Sequence, residues 1–208
     1  MTEPVEEAEA TTTADKPYWR RYSDDRPPPG DQLAALRAGE GRDPFTVPSM
    51  WPFLSEMGED AFSSPRRDGF EAPPAVVAEH HALVLFAVHQ QSQGHLVHRK
   101  GESLGNAVKR LHTSDRFSKE AVDRRFYAMV TADDLKEMTH HLRGLIRQIR
   151  SLPTPVRLDY DQLVEDLRAW QSPFERDRVR RRWGRDYHLR VDKAASGGDP
   201  DPSNSTTN

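Results

Sequence analysis

The stretch LKEMTHHLRGLIRQIR, residues 135–150, sorts its side chains cleanly in one geometry. Lys136, His140, Arg143, Arg147 and Arg150 are spaced four, three, four and three apart. At 100° per residue of helix, all five fall in a strip about 80° wide. Leu135, Met138, Leu142, Leu145, Ile146 and Ile149 form the opposing apolar stripe. The pattern predicts a helix with one face buried and a cation at every turn of the other, ~5.4 Å apart.

The same periodicity recurs along the chain, and no segment alternates like a strand for long enough to argue for a sheet. DQLAALRAG reads as a short helix with Asp31 as N-cap and Gly39 as its stop. Residues 40–72, rich in Pro, Gly and Asp, read as loops and short helical turns around Trp51, Phe53, Leu54 and Phe62. Pro73–Pro74 opens a long helix to about Ser92, and its middle, ALVLFAV, is apolar on every side, the mark of a central buried helix. Ser103 and Ser118 start the next two, with Leu104, Ala107, Val108 and Leu111, then Val122, Phe126, Met129 and Val130, facing inward. Asp133 or Asp134 begins the basic helix. Asp159 caps another that carries Tyr160, Leu163, Leu167 and Trp170 at core spacing, and Ser172–Pro173 opens the last, with Val179, Trp183 and Tyr187 on one side. The expected fold is an all-α, two-lobed helical bundle. It has an N-terminal lobe over 16–130 and a C-terminal bundle over 131–190. An acidic head (1–15) and a Gly/Pro/Ser-rich tail (191–208) are expected to be disordered.

The net charge of −3 conceals an asymmetry. Residues 1–15 hold five acids and no base, whereas residues 99–190 hold 21 basic and 14 acidic residues, a balance of +7. A basic half beside acidic segments suggests an anionic partner. The start lacks the positive and apolar regions of a signal peptide, and ALVLFAV is far shorter than the ~18 residues of a membrane span. With no cysteine there is neither a disulfide framework nor a thiolate zinc site. A cytoplasmic location fits these features.

Reactive chemistry finds little support in the sequence. His95 and His98 stand in a Gly-framed connection beside Arg99 and Lys100, and no carboxylate is placed as a third ligand. His80–His81 and His140–His141 are adjacent pairs, so each pair points in two directions, and helix-edge packing or backbone bonding is the ordinary role for such residues. There is no G-x-S-x-G, and GESLG lacks the order of a phosphate-cradling loop. Asp161 and Glu165, with Asp166 at the border, read as a solvated acidic face. Neither a catalytic residue, nor a cofactor, nor a metal site is expected.

The cations are ordered enough to favour phosphate contacts over plain solvation. Arg178, Arg181, Arg182 and Arg185 repeat the pattern loosely on the last helix, opposite its apolar side. Glu137 is the only acid between Lys136 and Arg150, and Arg, which binds phosphate in a bidentate way, outnumbers Lys. No helix-turn-helix, zinc finger or RRM aromatic pair points to base readout.

An ordered series of motifs then resembles a known family: LAALRAG, HQQSQGHLVHRKGESLGNAVKRL, VDRRFYAMV, HHLRGLIRQIR, LDYDQLVEDLRAW and RRWGRDY. Over residues 31–188 the chain is similar to the CasB family, the small subunit of the type I-E CRISPR Cascade complex. The resemblance implies a non-enzymatic subunit, two copies of which pack head to tail. Its implied neighbours are the crRNA-bearing backbone subunits and the large subunit. Its implied ligands are the displaced non-target strand of target DNA and the crRNA–target hybrid. By motif, the implied nucleic-acid-binding residues are Arg37, Arg99, Lys100, Arg110, Arg125 and Arg143. Helical geometry adds Lys109, Arg124 and Arg147. Where the family often carries a second basic residue after the first arginine, this chain has Ala38.

Overall fold

The computed structural model describes residues 16–55 and 72–189. The expected disordered head and tail, and Phe62, lie outside them. Among the described residues there are seven α-helices and no named strand, and the only extended pairings are isolated bridges, Ser23 with Arg26 and His98 with Leu158. The helices are α1 (Gly30–Arg37), α2 (Pro74–Gln90), α3 (Leu104–His112), α4 (Lys119–Thr131), α5 (Leu135–Arg150), α6 (Tyr160–Trp170) and α7 (Pro173–His188). Short 3-10 turns occupy Tyr18–Arg21, Pro44–Thr46 and Pro48–Phe53. The chain is all-α, as its periodicity requires. No helix among the described residues is long and apolar enough to cross a membrane.

The helix starts follow from side chains that accept otherwise unpaired first-turn N–H groups. Ser103 accepts from Asn106, Ser118 from Ala121, Asp134 from Glu137, and Asp159 from both Asp161 and Gln162. α2 and α7 start on prolines instead. Asp31 is not the cap of α1. The helix begins at Gly30, with Pro29 in the cap position two residues before Asp31, and Asp31 sits within its first turn, where the helix dipole favours a negative charge.

Thirteen of the seventeen residues of α2 are buried. At ~1.5–3 kcal/mol for each large apolar side chain, Val76, Leu83, Val84, Leu85, Phe86 and Val88 together contribute on the order of 10 kcal/mol before entropy is charged. That is comparable to the net stability of a whole domain. Around α2 pack α1, α5 and α6; α4 lies on α5, α3 on α7, and α7 on α6. Among the described residues, the buried side chains on both sides of residue 130 belong to one cluster.

Three features were not legible beforehand. Tyr18 and Trp19, from the first 3-10 turn, are buried against Phe86 and Tyr160 with ring centroids 5.9 and 5.6 Å apart respectively. Asp166 does not border a solvated face. It is buried, accepts hydrogen bonds from Trp183 Nε1 at 2.6 Å and Gln162 Nε2 at 3.0 Å, and is ion-paired with Arg182, tying α6 to α7 beside the stacked Trp170 and Trp183 rings. Gly105, in the GESLG segment, is a packing residue. A methyl group there would meet the Trp183 carbonyl oxygen at 2.5 Å and the Tyr187 nitrogen at 2.9 Å. Only glycine lets α3 approach α7 so closely.

Gly105→Ala is therefore expected to destabilise the fold by about 1–3 kcal/mol, read as a lower urea midpoint with an unchanged slope. A second expectation concerns acid. Burial pushes His81 down to about 4 and His89 down to about 3. Unfolding returns both imidazoles to about 6.5, so the unfolded chain takes up protons that the folded chain refuses. The stability present above pH 6.5 should fall progressively as pH drops toward 4 and below. His89→Gln should flatten that fall in denaturant titrations run across the range.

Candidate nucleic-acid interface

Four of the nine candidate cations are exposed and have no carboxylate partner among the described residues: Arg99, Lys100, Arg124 and Arg125. Arg99 and Lys100 occupy a loop fixed at several points. The Arg99 N–H donates to the Leu158 carbonyl at 3.1 Å and the Leu158 N–H to the Val97 carbonyl at 2.9 Å. Gly101 turns the chain with a φ of 85°, and its N–H donates to Asp159 Oδ2 at 2.7 Å. The two side chains thus stand outward from a tethered backbone. Arg124 and Arg125 stand outward because α4 buries Val122, Phe126 and Met129 on its other side.

Lys109 and Arg110 lie on α3. Lys109 Nζ donates to the Leu189 carbonyl at 2.5 Å, and Arg110 lies 3.6 Å from Glu102, which joins it to the Arg99–Lys100 loop. Arg37, Arg143 and Arg147 form a separate group around Glu40. Arg147 Nη2 donates to both Glu40 carboxylate oxygens at 2.8 and 3.0 Å, and Arg143 Nε lies 3.1 Å from Oε1. The Glu40 N–H donates to the Arg37 carbonyl at 3.1 Å, while the Arg37 guanidinium lies 3.5 Å from the Ala87 carbonyl oxygen, at the outer limit of a hydrogen bond. Arg147 remains half exposed, but the Arg143 side chain is only 16% exposed.

This corrects the expectation that the basic face of residues 136–150 lacks acidic partners. Along α5 the only acid is indeed Glu137, but Glu40, 107 residues from Arg147, closes over the strip. Arg150 is also occupied, donating to the Val88 carbonyl at 3.1 Å and to Gln91. On α7, Arg182 is held by Asp166, Arg180 by Asp177 and the Ala132 carbonyl, and Arg185 by Asp186. Arg181 is exposed and has no ion pair among the described residues.

The histidines acquire ordinary roles. His80 Nε2 lies 3.2 Å from the Gly39 carbonyl, His89 Nδ1 lies 3.0 Å from Tyr160 Oη, and His98 Nδ1 accepts from the Tyr160 N–H at 3.2 Å. His140 lies 3.4 Å from Arg143 and His141 lies 3.8 Å from Glu137. Contrary to expectation, the fold does bring carboxylates to His98: one ligand atom each from His98, Asp159 and Asp161 lie within 4.8 Å of one another. All three are engaged. Asp159 caps α6, and Asp161 accepts from Trp19 Nε1 and from Arg20, both at 2.9 Å. Burial raises the Asp161 carboxyl, but the Arg20 and Trp19 hydrogen bonds outweigh it and hold the group below the usual range. The Arg20 guanidinium already stands where a metal's charge would be needed.

Comparison with known proteins places this geometry in context. The model of the family CRISPR-associated protein Cse2 matches residues 32–188. Among solved structures, the chain is similar to CasB from Thermobifida fusca, at 30% identity and a TM-score of 0.61, covering 79% of this chain and 88% of that one. It is similar to M. ruber CasB at 26% identity and a TM-score of 0.58, covering 81% and 89%. A chain of a CRISPR RNA-guided surveillance complex shares the fold at 20% identity and a TM-score of 0.52, covering 76% and 81%. None of the curated proteins compared with the chain matches it.

Removing the shared carboxylate should release two cations. Glu40→Gln is expected to change stability by less than about 1 kcal/mol, as for other partly exposed ion pairs. It should also elute from a heparin column at higher salt than the parent chain. Elution at unchanged salt would show that Arg143 and Arg147 do not face an approaching polyanion.

Proposed function

The chain belongs to the CRISPR-associated protein Cse2 family, and on that premise we propose that it is a non-catalytic, cytoplasmic subunit of a Cascade-type surveillance complex. Its partners there are the crRNA-bearing backbone subunits, the large subunit and a second copy of itself. Its basic surface holds the sugar–phosphate backbone of the displaced non-target DNA strand and supports the crRNA–target hybrid. The observation that carries this reading is the set of exposed cations, Arg99, Lys100, Arg124 and Arg125, with no carboxylate partner among the described residues. Exchanging a DNA duplex for a guide–target duplex is nearly balanced, so a few backbone contacts are enough to tip it. Such contacts need charge and reach but no base readout.

Lys109, Arg110 and Arg37 extend this surface, and Arg143 and Arg147 join it when a phosphate competes with Glu40. One observation favours a protein-facing role for another part of the surface. Phe174, at the head of α7, is 95% exposed and suits a subunit contact better than a phosphate.

The double reversal Arg124→Glu/Arg125→Glu is expected to weaken single-strand binding by the assembled complex. It should also lower the slope of log affinity against log salt, by about 0.7 for each phosphate no longer neutralised. Unchanged affinity and slope in an intact assembly would remove α4 from the interface. Release of the subunit from the complex would instead assign these arginines to protein contacts.

A further inference from the structure

We propose that Tyr127 and His188 form a platform on which an unpaired nucleobase stacks; this rests on the reading that the basic surface receives a single strand. Tyr127 is 46% exposed, one of three large apolar side chains left in solvent among the described residues. Unlike Phe174 it does not stand alone. The His188 ring lies nearly parallel to it, 20° between planes with centroids 6.1 Å apart, and His188 Nε2 lies 3.5 Å from the phenol oxygen. Phe126 stacks on Tyr187 at 4.1 Å and meets His188 edge-on, and Tyr187 Oη donates to Asp123. The exposed pair therefore rests on a rigid aromatic layer, so little rotamer freedom is left to lose when a ligand arrives.

Cations border the pair, with acids between them. Arg124 stands one turn before Tyr127 on α4, Arg185 one turn before His188 on α7, and Lys109 reaches the carbonyl of Leu189. The nearby acids are already engaged: Asp123 by Tyr187, Asp186 by Arg185, and Glu120 by Ser118. Flat rings bordered by arginine and lysine suit a strand that offers a π face and a phosphate at each step. Stacking of this kind tolerates any base, which fits a displaced strand of arbitrary sequence. A duplex keeps its bases stacked on one another and offers none to this platform.

The test uses the full chain and two strands of equal length and charge, oligo-dT and a fully abasic strand, followed by fluorescence anisotropy. Tyr127→Ala should weaken oligo-dT binding by about tenfold and leave the abasic strand unaffected. Tyr127→Phe should retain the parent affinity. His188→Ala, which removes half the platform, should show a smaller loss of the same selectivity. Equal losses on both strands, or no loss on either, would overturn the platform while leaving the backbone reading intact. If the parent chain bound neither strand, both readings would fall together.

Discussion

A helix that is apolar on nearly all sides must be surrounded, and α2 sets that requirement for the whole molecule. Its few buried polar side chains find partners mostly in the loops around it. Glu79 accepts from Ser55 at 2.9 Å, His80 meets the Gly39 carbonyl, and Gln90 both donates to the His95 carbonyl at 2.8 Å and accepts from the Val97 N–H at 3.0 Å. An unsatisfied polar group in such a place would cost about 1–3 kcal/mol, so each bond fixes a loop to the core. The loop bearing Arg99 and Lys100 is held in this way. The position of two candidate binding residues is thus a consequence of core chemistry some distance away.

The basic half of the chain divides its cations between two tasks. Arg150 donates to the Val88 carbonyl in the last turn of α2, Arg176 to the Trp170 carbonyl at the end of α6, and Arg180 to the Ala132 carbonyl just after α4. Each satisfies a carbonyl at a helix C-terminus, where the helix dipole favours a positive charge. These arginines belong to the fold. The exposed ones on the α2–α3 loop and on α4 are available for something outside it.

Much of this was legible from local pattern. Caps at Ser103, Ser118 and Asp159, proline starts and apolar spacing are read within a few residues, and these helices start where the pattern puts them; between Asp133 and Asp134 the pattern leaves a choice, and Asp134 is the cap. What escaped were pairings across long separations: Glu40 with Arg147, Arg20 with Asp161, and Asp24, which accepts from Leu96 and from Arg157. No periodicity encodes such partners, because they depend on which loops α2 pins down. Asp166 was misread for a related reason. Its helical position borders the polar side of α6, but α7 brings Trp183 and Arg182 onto that border. Gly105 falls early in a helix that its own sequence predicts, and only the approach of α7 reveals why a side chain is forbidden there.

Two guanidiniums gathered on the Glu40 carboxylate present a net charge of one to anything outside. A sugar–phosphate chain settling there would displace an anion the protein already carries and would drive off fewer of its own condensed ions than two free arginines would. The hold at that spot would be set more by directed hydrogen bonds than by ionic atmosphere, and would depend less on salt than a hold by free arginines.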